Sequence, residues 1–309
     1  MNDRITHLIA ILMLLTITSS CGDDPEYERP AFDITVAETD PMINMATPLW
    51  ERHHDTPLKI LCIGNSFTNN ATTYMPWLIE RLNADSICLA KLTRSGCSLQ
   101  MHWQSHLENT EDYSLHYSDQ GEWKLSDVKT IDRALTFFDW DIITIQQVSG
   151  RAGVYTTYQP YLANLLALFK ATDPDASLAW HYTWAYTPWT NHPDFKIYDH
   201  NSEKMYQAIM EACDRASEEF DIRIPSADLI KMMREEFPKV ENGFSEDGYH
   251  ISDSLALFAL SSLWYDVTVS PTCGTCRQKT DIPSDLNAQD MEKVEEIIVS
   301  ILKPGYGME

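Results

Sequence analysis

Three side chains that could act together on an ester lie in two short segments of the chain. Ser66 lies in Gly64-Asn65-Ser66-Phe67, while Asp247 and His250 lie three residues apart near the other end. A carboxylate and an imidazole at this spacing can both serve one hydroxyl. An activated serine attacks acyl groups, so these residue types predict the nucleophile, base and orienting acid of a serine esterase. Taken singly, Ser66 or Asp247 could instead cap a helix, and His250 could be a buried core histidine.

The segment before Ser66 indicates how the nucleophile would be held. Leu58 to Ile63 is an apolar run bounded by turn residues, which is typical of a buried strand. Ser66 would then emerge at the carboxyl end of that strand. In open α/β sheets ligands bind at that edge.

The strand candidates alternate with helix-like segments, which is the pattern of a parallel sheet covered on both faces. The strands are predicted near Lys59–Ile63, Ser86–Leu92, Asp141–Gln146, Ser177–Trp184 and Asp221–Pro225. The helices are predicted at Tyr74–Leu82, Val128–Phe138, Tyr158–Lys170, Ser202–Glu219, Ser252–Tyr265 and Leu286–Leu302. Residues Asp112–Lys124 alternate around Asp119-Gln120-Gly121 and predict an inserted hairpin. We therefore expect a flavodoxin-like three-layer α/β/α sandwich with a five-stranded parallel sheet, whose switch point lies beside the first strand.

The first 21 residues have the features of a secretion signal. Arg4 is followed by an apolar stretch, Leu8 to Ile17, that is too short to span a bilayer. Thr18-Ser19-Ser20-Cys21 resembles a lipobox, although Thr18 stands where leucine is usual. Cys21 would then be the lipidated N-terminus of a protein anchored in the outer membrane, facing the periplasm or the cell surface. The alternative is an ordinary cysteine after a standard signal.

The remaining chain divides into a tether and one domain. Residues 22–57 are polar and punctuated by proline, so they predict a tether and entry loop. Residues 58–305 are long enough for a single α/β domain with a sizeable core.

The net charge of −23 restricts the partners of the protein. Nucleic acids and anionic membrane surfaces would be repelled, whereas a small neutral ester or a neutral acylated polysaccharide would not. We expect no nucleic-acid partner, and contact with a membrane only through the N-terminal lipid.

Two pairs of residues have the spacing of metal ligands, but neither pair is favoured as a metal site. Cys273-Gly274-Thr275-Cys276 has the spacing of half a zinc site, but the chain has no second such pair, so a local disulfide or a plain loop is favoured. His102 and His106 have helical spacing without an obvious third ligand, which favours surface or cleft-wall histidines. Cys62, inside the first strand, is expected to pack as a small buried group. We expect no metal and no cofactor.

Several short blocks together resemble the SGNH (GDSL-type) serine hydrolases. Gly64-Asn65-Ser66-Phe67 is similar to their first block with Asn for the usual Asp, and Asp247-Gly248-Tyr249-His250 is similar to the last block. Gly96-Cys97-Ser98-Leu99 and Trp140 to Gln147 narrow the resemblance to an uncharacterised branch that is common among Bacteroidota lipoproteins. The resemblance implies an SGNH fold over roughly residues 58–302 and an acyl-enzyme mechanism through Ser66, His250 and Asp247.

The same resemblance implies an oxyanion hole. The Ser66 and Gly96 backbone N–H groups would supply two donors, with a glycine at position 96 to let the backbone approach closely. The family's asparagine block is absent, and the third strand ends in Gln146-Gln147. A glutamine amide can donate the same bond, so Gln146 is the expected third donor, with Gln147 in reserve. The alternative is that the glutamine bonds loop backbone.

Aromatic and imidazole side chains gather in or after the predicted strand ends. They are Trp103, Trp180, His181, Trp184, Tyr186, Trp189 and Tyr249. Because flat rings stack on sugars, they favour a carbohydrate ester, although most of these residues are expected to be simply core or rim. The candidates for substrate contact are Asn65, Gln147, Trp103, Trp184 and Tyr249.

Three functions follow from these observations. The first is a carbohydrate esterase that removes acetyl or other small acyl groups. The second is a lipase-like esterase of small hydrophobic esters. The third is a glycan-binding lipoprotein that has lost catalysis, for which the missing asparagine is the main support.

Overall fold

The computed structural model describes residues 57–81, 87–269 and 282–306. The predicted signal segment, Cys21, the tether up to residue 56 and the Cys273/Cys276 pair lie outside the described residues.

A seven-stranded sheet forms the centre of the domain. Its strands are β1 (Leu58–Gly64), β2 (Ile87–Thr93), β3 (Ser114–Asp119), β4 (Glu122–Leu125), β5 (Ile142–Ile145), β6 (Ser177–His181) and β7 (Ile222–Ile224). The order is β4-β3-β2-β1-β5-β6-β7. The five strands β2, β1, β5, β6 and β7 are parallel, while β3 and β4 are antiparallel. The flavodoxin-like prediction is confirmed, with one addition: the predicted hairpin extends the sheet to seven strands by pairing with β2.

The register of the central strands brings three strand ends to one edge. Gly64 of β1 pairs with Thr93 of β2, and Cys62 of β1 pairs with Thr144 of β5. The segments that follow β1, β2 and β5 therefore leave the sheet side by side. Ser66 lies in the first of them, as predicted for a switch point beside β1.

The described helices have the following bounds. They are α1 (Ser66–Ala71), α2 (Met75–Arg81), α3 (Leu99–Glu108), α4 (Ile131–Leu135), α5 (Tyr161–Thr172), α6 (Ser202–Ser217), α7 (Ser226–Glu236), α8 (Ser254–Thr268) and α9 (Ala288–Tyr306). In one layer α8 packs against α1, α2 and α7, and in the other α3 packs against α4 and α5. No helix in these parts of the chain is long and apolar enough to cross a membrane.

Three helices were absent from the prediction for reasons visible in their residues. Helix α1 has only six residues, most of them polar, so it carries no apolar period. Helix α3 has its buried positions at Leu99, His102 and Ser105, two of which are polar. Helix α7 is charged over much of its length. Helices α1 and α3 lack an apolar pattern, but each begins at an N-cap. The Asn65 and Ser98 side chains each accept a backbone N–H of the first turn.

The cysteines of the described residues are free and buried. Cys62 is completely buried in β1, as predicted. Burial raises the pKa of Cys62, Cys88, Cys97 and Cys213 to about 12 each, so these thiols are protonated at neutral pH.

Candidate active site

Ser66 is the first residue of α1, and only Asn65 separates it from the end of β1. Asn65 has extended backbone angles, and its Oδ1 accepts the Phe67 N–H at 3.0 Å, which caps the helix. A Cβ at Gly64 would lie 2.0 Å from Thr68 Oγ1, so only glycine fits at the strand end. Ser66 is therefore placed by a sharp strand-to-helix turn.

The structure brings Ser66, His250 and Asp247 into one hydrogen-bonded chain. Ser66 Oγ lies 2.8 Å from His250 Nε2, and His250 Nδ1 lies 2.8 Å from Asp247 Oδ2. The carboxylate accepts from Nδ1–H, which leaves the Nε2 lone pair for the serine proton. The His250 and Asp247 side chains are 35% and 41% exposed, so this hydrogen-bonded chain is open to solvent.

The Asp247 carboxylate is stabilised in its ionised form. Its Oδ1 accepts the Tyr249 and His250 N–H groups at 3.0 and 2.8 Å, while Oδ2 faces the imidazole. Burial acts to raise its pKa, but these two backbone bonds and the His250 side chain outweigh burial and lower it. Asp247 is thus a permanent acceptor for the imidazole N–H at neutral pH.

The turn that carries Asp247 is held from outside by the segment after β6. Thr187 N–H donates to Gly248 O at 2.8 Å, and Thr190 Oγ1 donates to Asp247 O at 2.9 Å. Gly248 has φ +86°, and a Cβ there would lie 2.5 Å from Thr190 Cβ. These contacts join segments about 60 residues apart, and the sequence carried no signal for them.

Arg234 of α7 ties the same two segments together. Its Nη1 donates to Ala185 O at 2.7 Å, and its Nε donates to Gly243 O at 3.2 Å. Burial lowers its pKa to about 10, so it remains a cation at neutral pH. Arg234 thus supports the Asp247 turn, and sequence reasoning missed it.

Gly96 lies in the loop after β2, next to the end of β1. Arg94 N–H donates to Gly64 O at 3.1 Å, and Cys97 N–H donates to Arg94 O at 3.2 Å, so the loop is held against the end of β1. Gly96 has φ +60°, and a Cβ there would meet no atom within 4 Å. Its positive φ favours glycine at this position.

Gln146 occupies a different place from the one expected of an oxyanion donor. It is completely buried, and its Nε2 donates to Asn65 Oδ1 at 2.7 Å. Its Oε1 accepts from Thr68 Oγ1 at 3.0 Å and faces His181 Nδ1 at 2.5 Å. Asn65 Nδ2 in turn donates to Cys97 O at 3.0 Å. The glutamine is thus part of a buried network that joins the ends of β1, β5 and β6 to the Gly96 loop.

Gln147 and Asn65 are buried and are not placed for contact with a substrate. Gln147 Oε1 accepts the Leu99 N–H at 3.1 Å, and its Nε2 donates to Thr157 Oγ1 at 3.1 Å. It therefore anchors the start of α3, while Asn65 serves the buried network.

The candidate aromatic residues separate by burial. Trp184 is completely buried, stacks on Phe67 with ring centroids 4.3 Å apart, and donates from Nε1 to Tyr249 O at 2.8 Å. Trp184 is therefore core, and β6 ends three residues before it, at His181. Trp103 packs on His106. Tyr249 is half-buried, with its ring centroid 4.2 Å from that of His250, so it is the candidate that borders the hydrogen-bonded chain of Ser66, His250 and Asp247.

The expectation for His102 is wrong. It is fully buried in α3, with Nδ1 2.9 Å from Tyr113 Oη, and burial followed by the charge of Arg94 lowers its pKa to about 3. His106 is half-buried and lies 2.7 Å from Asp132 Oδ1. Within residues 57–81, 87–269 and 282–306, no group of three or more His, Cys, Asp or Glu side chains could hold a metal ion.

Solved structures similar to this chain were found. A DUF4886 family protein from Bacteroides uniformis matches with 27% identity and a TM-score of 0.71, over 80% of this chain and 96% of that one. A protein from Slackia heliotrinireducens assigned provisionally to the SGNH hydrolases matches with 19% identity and a TM-score of 0.46, over 69% and 99%. An acetylxylan esterase from Geobacillus stearothermophilus matches with 14% identity and a TM-score of 0.43, over 68% and 94%.

Curated proteins gave no match. Solved structures described as SGNH or GDSL-like are among the matches. The model of the DUF4886 family, a domain of unknown function, matches residues 59–290, so this chain belongs to the DUF4886 family.

Proposed function

We propose that this protein is a serine esterase that hydrolyses carboxylic esters through an acyl-enzyme. The observation that carries the proposal is the unbroken chain Ser66 Oγ, His250, Asp247 with both links at 2.8 Å. A half-exposed serine bonded to an imidazole, which is itself oriented by an ionised carboxylate, is the arrangement that activates a serine for acyl transfer.

The proposed reaction has two halves. His250 Nε2 takes the proton of Ser66 as Oγ attacks the ester carbonyl, and Asp247 stabilises the imidazolium that forms. The bond between the carbonyl carbon and the alcohol oxygen then breaks, and the proton on Nε2 goes to that oxygen. Water, activated by His250 in the same way, then releases the acid and restores Ser66.

The oxyanion formed in each half would be stabilised by backbone N–H groups. We assign this role to the N–H groups of Ser66 and Gly96, which lie at the adjacent ends of β1 and β2. Gln146 would act indirectly, because its amide holds Asn65, which holds the Cys97 carbonyl of the Gly96 loop. Gln146 is thus a positioning residue in this proposal.

The substrate class and location belong to the same proposal. Small acyl groups on neutral carbohydrates suit a chain with net charge −23. Export and a lipid anchor at Cys21 would bring the enzyme to such substrates outside the cytoplasm. Growth with labelled palmitate tests the anchor, since an unlabelled protein would contradict it.

Hydrolysis of p-nitrophenyl acetate by the full chain in mild detergent tests the esterase proposal. Ser66→Ala should abolish nearly all turnover, while Ser300→Ala, at an exposed serine of α9, is the matched control. A fluorophosphonate probe should label the wild type and not Ser66→Ala. A wild-type protein that neither turns over the ester nor accepts the probe would support the glycan-binding alternative.

A further inference from the structure

The triad geometry determines which side of the site receives the alcohol half of an ester. His250 must give the proton on Nε2 to the departing alcohol oxygen, so that oxygen lies against the imidazole. The carbonyl oxygen faces the Gly96 loop instead. The side chains that surround His250 on its open side are therefore the ones that meet the alcohol.

Tyr249 and His192 form a continuous aromatic surface beside His250. The Tyr249 ring centroid lies 4.2 Å from that of His250, and the His192 ring meets Tyr249 edge-on at 4.8 Å. The buried Tyr186 ring supports both from behind, at 4.7 Å from His192 and 5.6 Å from Tyr249. Because Tyr249 and His192 are only half-buried, part of this surface remains open.

His192 also offers a hydrogen-bond donor. Its Nδ1 accepts the Asp194 N–H at 3.2 Å, which places the ring proton of the neutral form on Nε2. Burial lowers the pKa of His192, which favours the neutral ring. Within the described residues Nε2 has no hydrogen-bond partner.

Trp189 is a large exposed residue of the segment that binds the turn carrying Asp247 and His250. It lies within the tight turn closed by Thr190 N–H donating to Thr187 O at 3.2 Å. The two threonines of this turn bind the backbone of Asp247 and Gly248. Trp189 is nevertheless 47% exposed, in contrast to the fully buried Trp180 and Trp184.

We propose that Tyr249, His192 and Trp189 form a subsite for the alcohol half of the substrate, and that this alcohol is a neutral sugar ring. Aromatic faces stack on the apolar face of a pyranose, and the His192 Nε2–H can donate to a ring hydroxyl. A simple alkyl alcohol would use neither the stacking faces nor the donor. The inference deepens the proposed esterase function and rests on it for the placement of the leaving group.

The kinetic test keeps the acyl group constant and changes the alcohol. We expect the ratio of kcat/KM for an acetylated methyl glycoside to kcat/KM for ethyl acetate to fall by about tenfold in His192→Phe and in Trp189→Ala. His106→Phe, at a half-buried histidine of α3, is the matched control and should keep the wild-type ratio. Ratios within twofold of wild type in both subsite variants would overturn the proposal.

A binding test separates this inference from the esterase proposal. Methyl glucoside, galactoside and xyloside are titrated into the Ser66→Ala protein by calorimetry, with His192→Phe added as the comparison. Binding that is lost in the double variant supports the subsite even if the wild type proves unable to hydrolyse esters. The subsite is refuted if none of the three glycosides binds, or if binding survives the double variant.

Discussion

The two halves of the proposed site are held in different ways. The nucleophile half is fixed from within, because Asn65, Gln146 and His181 bond to one another with almost no exposed surface. The other part of the site, which carries Asp247 and His250, is a partly exposed turn. It is fixed from outside by hydroxyl and backbone donors of Thr187 and Thr190.

This difference predicts where mutations will act. Buried polar groups that lose a partner keep their full desolvation cost, so damage to the nucleophile half should appear first in stability. The turn that carries Asp247 and His250 buries less polar surface, so substitutions there should lower turnover before they lower stability. Four variants or conditions test that contrast.

The largest expected effect is on turnover, in Asp247→Asn. The amide cannot hold His250 in the required tautomer or stabilise the imidazolium, so kcat should fall about 10⁴-fold. The free energy of unfolding should change much less. Asp199→Asn, at an exposed aspartate with a left-handed backbone, is the control. An Asp247→Asn protein with near wild-type kcat would exclude this triad.

The second effect is on stability, in Gln146→Leu. The change removes one buried hydrogen bond from each of Asn65, Thr68 and His181, which should cost about 3 kcal/mol of unfolding free energy. Urea unfolding measures it, with Gln207→Leu on the exposed face of α6 as the control. If Gln146 were instead a direct oxyanion donor, turnover would fall about 10²- to 10³-fold with little loss of stability.

The third effect compares two glycines with positive φ. Gly248→Ala meets both an unfavourable φ of +86° and Thr190 Cβ at 2.5 Å, whereas Gly121→Ala has φ +76° with its nearest contact at 3.5 Å. We expect Gly248→Ala to cost about 2 kcal/mol of unfolding free energy and to lower turnover as Asp247 shifts. Gly121→Ala, in the β3–β4 hairpin, should cost about 1 kcal/mol and leave turnover intact. Equal turnover in the two variants would show that the turn tolerates displacement.

The smallest effect is a pH dependence of stability from His181. Burial lowers its pKa in the folded protein to about 3, while the unfolded chain has about 6.5. The unfolded state therefore binds more protons below pH 6.5, and stability is lost as the pH falls from there toward 3. Between pH 6 and 5 the loss should be about 1 kcal/mol. His181→Asn, which keeps an amide donor, should make this slope shallower in urea unfolding, and an unchanged slope would contradict the assignment.

The sequence was sufficient for the parts of the fold that carry a periodic or local signal. The apolar runs of β1, β2 and β5 and the amphipathic pattern of α6 predicted elements close to those observed. Ser66, Asp247 and His250 were identifiable because their residue types and order are informative without any knowledge of loop paths.

The remainder depends on contacts between distant segments. Trp184 extends the apolar run of β6, but its indole leaves the strand to bond Tyr249 O, a contact across 65 residues that no pattern in the sequence reports. Gln146 could equally donate to an oxyanion or to Asn65, since residue type fixes the donor and not its direction. His102 has the spacing of a surface histidine, yet the packing of α3 buries it.

The four buried cysteine thiols can be used to follow the local unfolding of the domain. Cys62 lies in β1, Cys88 in β2, Cys97 in the Gly96 loop and Cys213 in α6. With each pKa near 12, an alkylating reagent can modify these positions only after the surrounding segment has separated and the thiol has reached water. The relative modification rates of the four sites would therefore reveal whether the sheet opens as one cooperative unit or whether the Gly96 loop detaches before the strands.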